Sequence, residues 1–403
     1  MKRIYLDHAA ATPVARSVVN AMTPFWSSVY GNPSSIHKEG VVAKKALALA
    51  RLSIAHVLGV HADEVVFTGS ATESCNLALE GTVNAWREKH PGQIPHIIVS
   101  AIEHDAVLAK VRMLQSSGAE LTVIPVDQEG IINIEELRRA IKKETVIISV
   151  MLANNEIGVI QPVRDIARMV RNWKRNERGV SRDVRMEGDA LYPLVHTDAC
   201  QATNYLELSI PHLGVDLLTI NASKIYGPKG IAILFARRDV LMNPIIVGGG
   251  HERGLRAGTE NIPLIIGFAE ALRIAEDMRV KESARLLVLR DWFIAELREI
   301  DGVTINGSCI SRLPNNVNFS LRGADHEFLA IAFDAKGIAV STKSACNETD
   351  AEHSHVLEAI LQGGGSGGAS GLRVSFGRIT TKKDLKIFLD MFTEIMQELI
   401  VVL

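Results

Sequence analysis

Lys224, Asp198 and Cys346 have the side-chain types and the settings for chemistry. Lys224 lies in "INASKIYGPKG" (220–230), directly after the apolar run "VDLLTI" and before a Gly-Pro turn. On a surface loop such a lysine would be ordinary. In a partly dry pocket its charged form is disfavoured and the amine becomes nucleophilic. Asp198, in "VHTDACQA", ends another apolar run. A carboxylate there must be paired or rich in donors, unless it only caps a helix opening at "TDACQA". An aspartate and a nucleophilic lysine at nearby strand ends are what pyridoxal phosphate requires. The amine holds the aldehyde, and the carboxylate keeps the pyridine nitrogen protonated so that the ring can draw electrons. Cys346, in "STKSACNETDAEHSH", sits among polar residues near Lys343, whose charge would favour a thiolate. It is either an exposed nucleophile or an incidental surface cysteine.

Supporting groups lie elsewhere in the chain. His104 in "IEHDAV" could cover a cofactor ring or simply start a helix. "TGSATES" (68–74) leads small residues into a helix, offering N–H groups and hydroxyls to a phosphate, though alone it is a weak signal. Gln201 is close enough to Asp198 to reach a ring hydroxyl, and Asn155 in "NNEIG" offers an amide to substrate or cofactor. Cys75, Cys200 and Cys309 lie in apolar or small-residue settings and read as inert thiols.

The elements that must position these groups are short apolar runs alternating with helical patterns. Strands are expected over 64–69, 96–101, 120–126, 145–152, 194–199, 216–222 and 231–236. Several are apolar throughout, as strands covered on both faces should be. Such alternation implies an α/β fold with a mainly parallel sheet flanked by helices, whose ligands sit outside the strands' carboxyl ends. "TGSATES", "AIEHDAV", "ANNEIG", "HTDACQ" and "NASK" all fall at such ends. "NIEELRRAIKK" opens with Asn133 and Glu136 as a capping pair. Residues 16–262 read as a large domain and 263–403 as a smaller α+β C-terminal domain, joined in space by residues 1–15. The stretch 171–192 reads as a solvated basic insertion, and 363–370 as a mobile linker.

With 403 residues, 47% hydrophobic and 22% charged, the chain has an ordinary globular composition and room for more than one core. A formal net charge of −2 provides no field for nucleic acid or an anionic membrane. The four cysteines show no CxxC spacing, which argues against a disulfide framework or zinc ribbon and fits a reducing cytoplasm. "MKRIYLDHAAATP" lacks a secretory apolar core, and no apolar run approaches a membrane span. No GxxxxGK[ST] is present, and "GGGHERG" lacks a nucleotide-binding setting.

"IYLDHAAATP", "YGNPSSIH", "TGSATES", "EHDAVL", "ANNEIGVIQPV", "HTDACQA", "SKIYGPKG", "GGGHERGLRAGTEN", "SAC" and "LRVSFGR" occur in order along nearly the whole chain. Together they resemble the group I cysteine desulfurases of iron–sulfur assembly, pyridoxal-phosphate enzymes of fold type I. The resemblance implies Lys224 as the Schiff-base lysine, Asp198 as the pyridinium partner, His104 as the stacking residue and Gln201 as the ring-hydroxyl contact. Ala71 and Thr72 would hold the phosphate, helped by Ser223, with Thr259 reaching the phosphate of a neighbouring subunit in a homodimer. Asn155, Arg373 and Asn32 would bind L-cysteine, and Cys346 would leave carrying the persulfide. No resident metal is implied, although the resemblance leaves Cys346 as a contact for a nascent iron–sulfur cluster. The expected partner is an iron–sulfur scaffold or another sulfur acceptor.

Departures from the family pattern are expected to matter. Ser223 stands where the family usually has a phosphate-binding histidine. The 171–192 connection is longer than usual, and the sequence stops at "QELIVVL" without the extension that many relatives use to dock a scaffold. Selenocysteine lyase, another class V lyase and a weakened scaffold-binding paralogue are the rival readings.

Overall fold

The computed structural model describes residues 3–178, 192–342, 354–361 and 370–402. Strand β1 (Ile4–Tyr5) comes first and pairs far along the chain. Next come β2 (Val65–Thr68), β3 (His96–Ser100), β4 (Glu120–Ile124), β5 (Thr145–Ser149), β6 (Leu194–Asp198), β7 (Leu217–Asn221) and β8 (Ala232–Ala236). These seven form one sheet in the order β2-β8-β7-β6-β5-β3-β4, and each coincides with a run expected from the sequence. β3 to β7 are mutually parallel, β8 runs against β7, and β2 runs against β8. The ends of β2, β3, β5, β6 and β7 therefore share one edge. Inner strands such as β5 and β6 are buried throughout, whereas edge strand β4 is partly exposed.

A second layer holds β9 (Val303–Ile305), β10 (Asn316–Leu321) and β12 (Leu372–Ser375), in the antiparallel order β12-β10-β9. β1 pairs in parallel with β11 (Ile338–Ala339), and Asp7 bridges to Ser375, so the N-terminal segment lies against this layer. Phe293, Phe319, Phe333, Phe388 and Phe392 pack beneath it, with Phe333 stacked on Phe388 at 4.4 Å. The helix Ile262–Arg298 is capped by Asn261. Its first half packs on the helix Lys38–Leu58, and its far half puts Phe293 into the small layer's aromatic cluster. One apolar cluster runs from Ile98 and Ile148 of the large sheet to Phe319 and Phe388 of the small one.

Two expectations need correction. Residues 171–178 are not irregular: they continue the helix Val163–Arg178. Its apolar stripe (Ile166, Ala167, Val170) is hidden in sequence by a run of arginines, and Lys174 is only 3% exposed, 3.7 Å from Asp216. The rest of that stretch, 179–191, lies outside the described residues, as do 362–369 of the Gly-rich segment. Ser370, at the end of that segment, is held: its carbonyl accepts from Ser320 and its hydroxyl bonds His326, each at 2.8 Å.

Candidate active site

The shared strand edge opens on a cavity of about 170 Å³. Asp198 is the last residue of β6; its Oδ1 accepts the Cys200 N–H at 2.9 Å, and its side chain lines the cavity. After β7 the chain makes a short 3-10 turn, Ala222–Lys224, because the Asn221 side chain accepts the Ser223 N–H. Asn204 then donates to the Lys224 carbonyl at 2.8 Å, fixing the backbone from which the amine reaches the cavity. The Lys224 amine donates to the Ala10 carbonyl.

The opposite end of the cavity is the start of the helical run Ala71–Lys89, which contains a π turn at Leu77–Gly81. Ser70 caps it by accepting the Glu73 N–H, while the N–H groups of Ala71 and Thr72 find no acceptor among the described residues. Those two donors, at the positive end of a helix, belong to residues that line the cavity. His104 caps the helix Asp105–Ser116. Its Nδ1 accepts the Ala106 N–H at 3.0 Å, which leaves the proton of the neutral ring on Nε2.

Arg373, on β12, is 1% exposed yet lines the cavity. Its Nη1 donates to the Asn155 carbonyl at 3.0 Å and its Nη2 to Asp7 at 2.8 Å, while the buried Nε has no partner among the described residues. Asn155 lines the cavity too, and Gln201 does so while donating from Nε2 to the Ala9 carbonyl at 3.0 Å.

Eight residues singled out in the sequence thus meet here: Ala71, Thr72, His104, Asn155, Asp198, Gln201, Lys224 and Arg373. Ser223 does not line the cavity; its hydroxyl donates to Asn221 Oδ1 at 2.8 Å. Thr259 and Asn32 are exposed and also stand outside it. Cys346 and Lys343 lie outside the described residues. Burial, with the charge of Asp198 adding, pushes the thiols of Cys75 and Cys200 up, so both stay protonated even though Cys200 lines the cavity.

Sequence reasoning missed Asp7, the Ala9 and Ala10 carbonyls, Asn221 and Glu103. Glu103 is fully buried and accepts from the Ser100 hydroxyl and the Met151 N–H, and burial pushes its carboxyl up to about 8. For Asp7, Ala9 and Ala10 the available signal was the run of small residues in "DHAAATP", which permits close approach of its backbone, and Asn221 lay within the strand-end cluster "NASK".

A lysine amine, a buried aspartate and two helix-start N–H groups lie together at one α/β sheet edge, the place where such folds bind ligands. The chain matches the aminotransferase class-V family over residues 4–388 and belongs to that family. It is 40% identical over 406 residues to a protein of Dictyoglomus turgidum named Cysteine desulfurase IscS, spanning 99% of this chain and 96% of the relative. A Methanosarcina thermophila protein of the same name is 40% identical over 405 residues, spanning 99% of this chain and 93% of the relative. Among solved structures, a NifS-like protein superposes with a TM-score of 0.86 at 33% identity, covering 98% of this chain and 99% of that one.

Proposed function

We propose that this protein is a pyridoxal-phosphate-dependent cysteine desulfurase. It converts L-cysteine to L-alanine and leaves the sulfur as a persulfide on Cys346, for iron–sulfur assembly or another acceptor. The convergence of Lys224, Asp198 and Arg373 on one cavity carries this reading. The cavity residues fit the cofactor: Asp198 suits the ring nitrogen, the acceptor-less N–H groups of Ala71 and Thr72 suit the phosphate, and Lys224 suits the aldehyde. When bound, the cofactor supplies an electron sink adjacent to the amino acid's Cα.

The remaining work falls to the chain. Arg373, through its unpartnered Nε, and the Asn155 amide bind the substrate carboxylate. Asp198 keeps its partner nitrogen protonated. Lys224, once released, takes the Cα proton. His104, with its proton on Nε2, stacks in the site and exchanges a proton with the substrate thiol. The Cys346 thiolate forms a bond to the substrate sulfur as the carbon–sulfur bond breaks, and the electron pair left on carbon is protonated. The balance is L-cysteine plus one enzyme thiol giving L-alanine plus one enzyme persulfide.

A homodimer is part of this reading. Ile36 is 97% exposed, and Trp26, Val41, Val42, Leu49 and Leu52 on the N-terminal helices, with Tyr30 in the connection between them, present further bare apolar surface. A second copy would cover them. Thr259, exposed and outside its own cavity, is then available to the neighbour's phosphate. We place the protein in the cytoplasm, consistent with its scattered cysteines; no described helix is long and apolar enough to cross a membrane.

The test is a visible spectrum before and after L-cysteine, with alanine and sulfide quantified. The wild type should absorb as a lysine-bound cofactor and make alanine. Lys224→Ala should lose that absorbance and drop turnover by at least about 10³-fold. Cys346→Ala should keep the absorbance and lose sulfide release. Borohydride labelling of a residue other than Lys224 would refute the reading.

A further inference from the structure

The Asp7–Arg373 pair joins residues that are 366 positions apart in sequence. Arg373 is one of the largest fully buried side chains, and a guanidinium at that depth needs its charge balanced and its plane fixed. Among the described residues two groups bond it: the Asp7 carboxylate on Nη2 and the Asn155 carbonyl on Nη1. They take separate nitrogens and leave Nε unpartnered, although Arg373 lines the cavity. A guanidinium so held has little freedom to rotate, so these two bonds set the orientation in which it meets the cavity.

Asp7 is itself held. Its carbonyl accepts the Tyr5 hydroxyl at 3.0 Å and the Ala10 N–H at 3.1 Å, and the flanking backbone is tied to Ser375 on both sides, by Ser375 N–H to the Leu6 carbonyl and Ala9 N–H to the Ser375 hydroxyl. The next residues serve the rest of the cavity. Ala9 accepts from Gln201, Ala10 accepts from Lys224, and Thr12 donates through both N–H and hydroxyl to the Ser223 carbonyl. One strap of chain, Asp7 to Thr12, thus touches four residues singled out for the site.

We propose that Asp7 is a positioning residue that sets substrate affinity, orienting Arg373 so that its unpartnered edge receives the α-carboxylate of the amino-acid substrate. This rests on the function proposed above. With Asp7 neutralised, the guanidinium loses its charge-bearing anchor and turns out of register, while Lys224 and Asp198 are untouched. The cost falls on binding and not on the chemical step.

The test compares Asp7→Asn with wild type in two readouts. The KM for L-cysteine should rise roughly tenfold with kcat held within about threefold. The half-saturation of the cofactor's spectral change by added L-alanine, which carries the same carboxylate and amine but no sulfur, should rise by the same factor. Asp7→Glu, which keeps the charge, should recover most of the lost affinity. If Asp7→Asn does not fold, Asp7→Ser, which keeps an acceptor without charge, carries the same expectation. KM and L-alanine half-saturation within twofold of wild type would overturn the proposal. So would a kcat loss as large as the affinity loss, which is what general damage predicts. The proposed function is judged apart from this: a wild type that makes no alanine from cysteine refutes the desulfurase reading, while the L-alanine titration still judges the pair.

Discussion

The two walls of the cavity are built by different means. The wall carrying Asp198, Lys224, His104 and the Ala71–Thr72 turn is a row of strand ends. Each is fixed by bonds within a few residues: Asp198 to Cys200, Asn221 to Ser223, His104 to Ala106, Ser70 to Glu73. The facing wall, Arg373 with Asp7, Ala9 and Ala10, is held by contacts between distant parts of the chain. Local caps on the large sheet set most of the first wall, which the N-terminal strap touches through Ala10 and Thr12, whereas the second exists only when the small layer and that strap have docked. In the proposed function the first carries the groups that move protons and the second carries the cation that grips substrate.

Paired substitutions can break this division. Asp198→Asn should lower kcat roughly 10²- to 10³-fold, by removing the anion that stabilises the ring's proton, and leave L-alanine half-saturation nearly unchanged. Arg373→Lys keeps the charge but loses the planar fork, so it should raise KM about 10- to 100-fold with a smaller effect on kcat. Steady-state kinetics and the L-alanine titration check both. If Asp198→Asn acts mainly on KM, or Arg373→Lys mainly on kcat, the walls do not divide the labour.

The pH dependence tests how dry the protein is behind the first wall, at Glu103, the buried neighbour of His104. Burial raises the Glu103 carboxyl from 4.5 to about 8, against the opposing pull of the Ser100 hydroxyl and the Met151 N–H. Between those values the folded protein holds a proton that the unfolded chain has released, so this group makes stability fall as pH rises through the window. Burial lowers His8 and His196 to about 4, and they act in the other direction below 6.5, so the clean range is pH 6.5 to 8. Glu103→Gln should flatten the decline there by up to about 1.4 kcal/mol per pH unit, read from denaturation midpoints. Parallel pH profiles for variant and wild type would mean that Glu103 is already ionised and its surroundings wetter than its burial implies.

The contrast between the walls also explains what could be read in the sequence. All seven strands of the large sheet were legible because each is an apolar run, and their polar ends named the first wall nearly completely. Asn155 was read from its place at a strand end and Arg373 found by resemblance, but Asp7 was not found, since nothing local ties it to a residue 366 positions away. The helix at 171–178 was lost because arginines outnumber the apolar residues on its stripe, so composition hid periodicity. Glu103 was invisible because burial, and not residue type, makes it unusual.

Ser223 yields the smallest effect and tests how local the first wall is. Its position in the motif suggests a phosphate donor, yet its hydroxyl donates to Asn221 Oδ1 at 2.8 Å, and the Ser223 N–H reaches the same oxygen at 2.8 Å. The hydroxyl therefore duplicates a bond that the backbone already makes, in a turn also pinned by Asn204 and Thr12. Ser223→Ala removes the duplicate and keeps the turn. Fluorescence titration of the apoprotein with pyridoxal phosphate should give a dissociation constant within about twofold of wild type, well under the ~1 kcal/mol of a working hydrogen bond. A tenfold loss would mean that the hydroxyl turns to the phosphate once the cofactor enters, making the first wall adjustable rather than preset by its caps.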